Sequence, residues 1–129
     1  MRTLANHINE ALKIGKNISK FSTYSYKPKT KEELKKIVNE RIDKDDLDCD
    51  LNDIDTSLIT DMSGLFYDSV FNGNISYWDV SNVTNMSHMF MKSKFNQDIS
   101  NWKINKNCDT YNIFCECPIN KEYKPKLPR

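Results

Sequence analysis

The stretch NVTNMSHMFMKSKFNQDISNW, residues 82–102, decides the reading, because LITDMSGLFYDSVFNGNISYW, residues 58–78, stands just before it as a near copy. At an offset of 24 residues, Met62 falls on Met86, Phe66 on Phe90, Phe71 on Phe95, Asn72 on Asn96, Ile75 on Ile99 and Trp78 on Trp102. A fixed internal period of this size is the mark of a repeat architecture, in which each unit buries its apolar face on its neighbour.

The register extends in both directions. Subtracting 24 puts Leu51 under Ile75, Ile54 under Trp78, and Val38 and Ile42 under Met62 and Phe66. Adding 24 reaches Ile113 and Phe114, after which Pro118 interrupts. Met62, Leu65 and Phe66, like Met86, Met89 and Phe90, follow the i, i+3, i+4 spacing of a short helix. Ile75-x-x-Trp78-x-Val80 and Ile99-x-x-Trp102-x-Ile104 end in the alternation of a strand. The expected fold class is therefore α/β: a short leucine-rich-repeat-like solenoid with a small parallel sheet and short helices, preceded by an N-terminal amphipathic helix. Asn72, Asn74, Asn82 and Asn96 are expected at its left-handed bends. Thr30 and Glu33 form a capping box ahead of a helix that carries Leu34, Ile37, Val38 and Ile42. Leu4, Ile8, Ala11 and Leu12 make a shorter stripe of the same kind.

The organisation read from these patterns is an amphipathic arm over 1–15, a connector over 16–30 and repeats over 31–119, with a tail over 120–129. The repeats divide into a degenerate first coil (31–57), two clear units (58–82 and 83–106) and a capping half-repeat (107–119). With 38% hydrophobic and 29% charged residues and no apolar run near 20 residues long, neither a membrane span nor a secretory signal is expected. The chain is read as cytoplasmic. Net charge is +1, yet it is striped: nine Lys/Arg against three Asp/Glu in residues 1–36, two against eleven in 37–80, eight against four in 81–129.

Chemistry-bearing motifs are few. His7 and His88 stand alone, and no phosphate-binding, nucleophile-elbow, zinc-protease or dinucleotide fingerprint is present. No enzyme, catalytic residue, metal or cofactor is expected. Cys49, Cys108, Cys115 and Cys117 lack zinc-knuckle spacing and are expected as small buried or half-buried thiols without disulfides. DKDDLDCDLNDID, residues 43–55, lacks the glycine and the closing glutamate of a calcium loop, so it reads as an extended edge with Leu47, Cys49 and Leu51 inward and its acids in water. Two surfaces are candidates for binding. One is the outward side of the strand positions, Asp53, Asp55, Tyr77, Asp79, Asn101 and Lys103, with Tyr77 suited to be an anchor. The other is the acidic segment of Asp43, Asp45, Asp46, Asp48 and Asp50.

The residues VTNMSHMF with FNQDISNW, and ITDMSGLF with FNGNISYWDVSN, resemble the BspA-type leucine-rich-repeat family, also known from mycoplasma lipoproteins. Its repeats read V-T-x-M-x-x-M-F and then F-N-x-D-I-S-x-W-D-V-S-N. The resemblance covers residues 31–119. It implies a repeat protein used in adhesion or protein–protein contact, with no catalytic residues to carry over. The leading expectation is a non-enzymatic interaction module with a protein partner, monomeric or weakly self-associating, without direct nucleic-acid or membrane binding. The start, MRTLANHINEAL, resembles the leaders of tailed-phage head proteins, which opens two alternatives. One is a phage-encoded inhibitor of a CRISPR-type defence nuclease acting through acidic mimicry in the host cytoplasm. The other is a structural or packaged virion protein.

Overall fold

A computed structural model describes residues 24–128. The arm expected over 1–15 and the first part of the connector lie outside them. Among the described residues the one α-helix is α1, Lys31–Lys44. Thr30 caps it: the Oγ1 accepts from the Glu33 N–H at 3.2 Å, while Glu33 Oε1 accepts from the Lys29 N–H at 2.8 Å. One donor left over at the first turn, the Glu33 N–H, and the Lys29 N–H just ahead of the cap are thus satisfied by side chains. Glu32 and Glu33 in the first turn and Arg41 and Lys44 in the last complement the helix dipole. Leu34 and Val38 are buried, with Ile37 and Ile42 packed beside them.

The expected solenoid with a parallel sheet and short helices is corrected by the backbone beyond α1. The described residues contain no strand; extended pairing is limited to three isolated parallel bridges, Tyr26 to Ile54, Asp61 to Asn85 and Asn85 to Asp109. Where strands were expected, the chain turns every few residues. Ile54, Trp78 and Trp102 N–H groups donate to Leu51, Ile75 and Ile99 carbonyls three residues back. Three inward positions separated by such turns leave no run of extended backbone to make a strand.

The short helices are replaced by consecutive turns as well. Leu65 N–H donates to Met62 O, Tyr67 to Gly64 and Ser69 to Phe66, and the series recurs at Met89 to Met86, Met91 to His88 and Ser93 to Phe90. Gly64, His88 and Asn112 occupy the left-handed region at φ 62°, 59° and 54°, as do Asp68, Lys92 and Glu116 at 55°, 60° and 58°. Two left-handed residues four positions apart rule out a right-handed helix. None of the four asparagines expected at left-handed bends is among them. Asn74 instead closes a turn by accepting from Ser76 N–H, and Asn72 and Asn96 accept from Asn96 and Asn120 N–H across repeats. Asn82 likewise reaches across, its Nδ2 donating to Ser57 O.

The same local device sharpens three bends of each unit. An Asp or Asn Oδ1 accepts the N–H two residues on at Asp50, Asn74 and Asp98, at Asp55, Asp79 and Asn105, and at Asp61, Asn85 and Asp109. These are Asx turns, which hold a bend without requiring glycine. Gly73 answers a different need: a Cβ there would collide with the Cys49 carbonyl oxygen and lie 2.6 Å from the Phe71 ring.

Successive units are tied by backbone bonds at a constant spacing. Met62, Gly64, Phe66 and Asp68 donate to the carbonyls of Asn85, Ser87, Met89 and Met91, and Met86, His88, Phe90 and Lys92 to those of Asp109, Tyr111, Ile113 and Cys115, all at 2.7–3.0 Å. Between them the side chains form aromatic rows. Phe66, Phe90 and Phe114 stack at centroid separations of 5.5 and 5.6 Å, and Phe71 faces Phe95 at 6.3 Å. Each Trp indole N–H satisfies its polar demand one unit back, Trp78 on Leu51 O at 2.9 Å and Trp102 on Ile75 O at 3.1 Å.

Candidate binding groove

The turn at Asn74 and Ser76 lifts Tyr77 out of the core, and its N–H is fixed by Asn52 Oδ1 at 2.9 Å. Tyr77 is 79% exposed, the most open large hydrophobic residue among those described. On either side two carboxylates are held by their own turns. Asp79 Oδ1 accepts from Ser81 N–H and Oγ at 3.0 and 2.6 Å, and Asp98 Oδ1 accepts from Ser100 N–H and Oγ at 2.9 and 2.6 Å. The Ser100 hydroxyl and then its N–H hold the Asp98 carboxyl below the usual carboxylate value. A groove of about 490 Å³ runs between the two units, lined by Tyr77, Asp79 and Ser81 from one and Asp98, Asn101 and Lys103 from the next, with Trp78 and Trp102 also contributing.

Four residues expected on the outward side therefore share one surface: Tyr77, Asp79, Asn101 and Lys103. Asp53 does not. It is 4% exposed, and both carboxylate oxygens accept from Arg41 Nη1 at 2.8 and 2.7 Å. The outward placement read from alternation is corrected here, because residues 51–54 form a turn that rolls Asp53 toward α1. Asp55 is half-buried and lies apart from the groove. Its Oδ1 accepts from the Ser57 N–H, and Lys27 Nζ stands 3.6 Å from Oδ2. Burial pushes this carboxyl up, but the Ser57 bonds and Lys27 outweigh it, and the group titrates below its ordinary value.

The acidic segment is split by the same guanidinium. Arg41 Nε donates to Asp45 Oδ2 at 2.8 Å and Nη2 to Asp50 O at 3.1 Å. Burial opposes its charge, yet the bonds to Asp53 and Asp45 prevail and its pKa is raised. Asp45 and Asp50 are half-buried, whereas Asp43, Asp46 and Asp48 are exposed. The segment is not an alternating extended edge: Leu47 is 41% exposed and sits in a turn. Arg41 was not singled out in the sequence, since nothing local links a helix residue to a carboxylate twelve positions on. Ser81 and Asp98 did carry a signal, the Asp-x-Ser spacing of an Asx turn.

His88 is half-buried and edge-on to Tyr111 at 5.4 Å. The four thiols are free; Cys108 is buried and Cys49, Cys115 and Cys117 half-buried. Burial pushes the thiols of Cys49, Cys108 and Cys117 up, away from the reactive thiolate. Among the described residues no group of three or more His, Cys, Asp or Glu side chains comes together as a metal set, and no helix is long and apolar enough to cross a membrane.

No curated protein and no solved structure matches the chain. The family profile described as "Mycoplasma protein of unknown function, DUF285" matches residues 32–123, and the chain belongs to that family.

Proposed function

We propose that the chain is a non-enzymatic protein–protein interaction module of BspA-like type, and that the groove around Tyr77 is its contact surface. The observation that carries this reading is an exposed tyrosine at the lip of a polar groove, its backbone N–H bonded to Asn52 and its neighbours held by Asx turns. An aromatic side chain on a fixed backbone has few torsions to freeze on binding and makes an efficient anchor, and a rim of Asp79, Asp98, Asn101 and Lys103 supplies directional polar contacts. The acidic segment is the weaker candidate because Asp45 is committed to Arg41 and Asp50 is half-buried.

The test is an affinity capture with the intact chain against a Tyr77→Ala/Lys103→Glu variant. Both positions are exposed and neither holds a turn, so the variant should melt with the parent. Loss of an anchor tyrosine costs on the order of 2 kcal/mol, roughly thirtyfold in affinity. A partner retained equally by both forms removes the groove as the site.

A further inference from the structure

Most bonds between repeats run one way, although Asn72, Thr84, Lys94 and Asp109 donate back to the carbonyls of Leu47, Thr60, Ser69 and Thr84. Along residues 85–92, each peptide unit that links one repeat to the next points its C=O toward the N-terminal unit and its N–H toward the C-terminal one. Asn85 O accepts from Met62, for example, and Met86 N–H passes the bond on to Asp109 O. Four such columns run side by side. They reach the last unit at Thr110, Asn112, Phe114 and Glu116, which stand 24 positions beyond Met86, His88, Phe90 and Lys92. Among the described residues none of these four N–H groups has an acceptor. The row of asparagines ends the same way. Asn72 Oδ1 accepts from Asn96 N–H and Asn96 Oδ1 from Asn120 N–H, and Asn120 Oδ1 then has no partner among the described residues. Phe114 is half-buried where Phe90 is wholly buried, and its ring meets Lys124 Nζ at 5.5 Å in place of a further phenylalanine.

We infer that this C-terminal face is a second docking surface, distinct from the Tyr77 groove, whose occupant is a repeat of the same kind carried by another polypeptide. Continuity with the two interfaces already inside the molecule specifies what fits: four carbonyls at alternate positions of a turn-built segment, one N–H for Asn120 Oδ1 and an aromatic ring for Phe114. An extended peptide cannot match four carbonyls that lie along a path of consecutive turns. A second intact copy is disfavoured by its own N-terminal end, where α1 stands in the place of a preceding unit. Of the corresponding carbonyls, those of Asp61, Ser63, Leu65 and Tyr67, the Ser63 carbonyl is taken by Lys31 Nζ at 3.2 Å, which is also bonded to Ser63 Oγ at 3.0 Å and lies 3.6 Å from the Asp61 carboxylate. The partner is a chain of these repeats whose first carbonyl row is not covered by such a helix.

The probe is a synthetic polypeptide of residues 58–106, which offers that row uncovered and is first shown to be folded by the emission of Trp78 and Trp102 and monomeric by sedimentation, titrated into the full chain while amide hydrogen exchange is measured. The expected result is saturable binding with exchange at Thr110, Asn112, Phe114 and Glu116 slowed about tenfold or more. Thr110→Pro removes one donor while keeping the carbonyl that Ile113 uses, and should weaken binding roughly fivefold. Lys124→Ala, which clears the Phe114 ring, should strengthen it, and Tyr77→Ala should leave it unchanged. Binding that slows other amides but not these four, or no saturable binding, overturns the inference, whatever becomes of the Thr110→Pro variant. Self-association of the intact chain at the same concentrations overturns the choice of occupant.

Discussion

The helix α1 and the turn segment 62–68 occupy equivalent places 24 residues apart, with Val38 and Ile42 standing where Met62 and Phe66 stand, yet their backbones do opposite things. In α1 each interior N–H is spent within the helix, so nothing is left to give to the next unit. In 62–68 every second N–H closes a local turn and every other one is exported to the next repeat. A helix at this position terminates the array and a chain of turns propagates it. Both turn apolar side chains to the core, Val38 buried and Ile42 half-buried in the one, Met62 and Phe66 buried in the other, and they differ most in where their hydrogen bonds go.

The largest expected effect tests whether coupling between repeats resides in the turn-built part. Phe90 is fully buried and contacts rings of both neighbouring units, Phe66 and Phe114. Phe90→Ala should cost about 4 kcal/mol in denaturant unfolding, against about 2 kcal/mol for Val38→Ala in α1. Equal costs would mean that the helix is as deeply coupled as the stacked repeats.

A smaller effect should change sign between the two regions. Alanine is the best helix former, so Asn39→Ala on the exposed face of α1 should stabilise by about 0.5 kcal/mol. Gly64→Ala should destabilise by about 1 kcal/mol although the space beside Gly64 is open, because φ there is 62°. Thermal melts of the two variants moving in the same direction would show that the turn segment converts to helix.

The smallest effect is with acid. At Asp61 burial pushes the carboxyl up, but the Ser63 bonds and Lys31 outweigh it and hold the group below its ordinary value of 3.8, as Ser57 and Lys27 do at Asp55. A carboxyl depressed by folding stabilises the protein above its unfolded value, and that contribution is lost as pH falls through the lower folded value. Stability should therefore hold down to about pH 4 and decline below it. Asp61→Asn keeps the Asx turn, as Asn85 does one unit on, and should flatten that decline in acid-titrated melts.

The inward residues were legible in the sequence because burial imposes a period whatever the backbone: Met62, Phe66, Ile75 and Trp78 and their counterparts at 86, 90, 99 and 102 are all at most 4% exposed. The backbone was not legible from that period. Residues three and four apart come together in a helix and equally across consecutive turns, so Met62, Leu65 and Phe66 could not choose between them. The deciding signal was polar, an Asp or Asn two residues before Ser63, Ser76, Ser81, Ser87 or Ser100, and it lay in positions that a hydrophobic reading treats as filler. In the groove, Tyr77, Asp79, Asn101 and Lys103 were found by position, whereas Asp53 was misplaced because its partner Arg41 is reached only through the fold.

Trp78 and Trp102 each clasp a carbonyl of the preceding unit, and there are no other tryptophans in the chain. Each indole is thereby an optical gauge of one seam. Emission from a Trp102→Phe form reports the opening between the units of Leu51 and Trp78, and a Trp78→Phe form reports the next, so stepwise and concerted unfolding can be told apart with light alone.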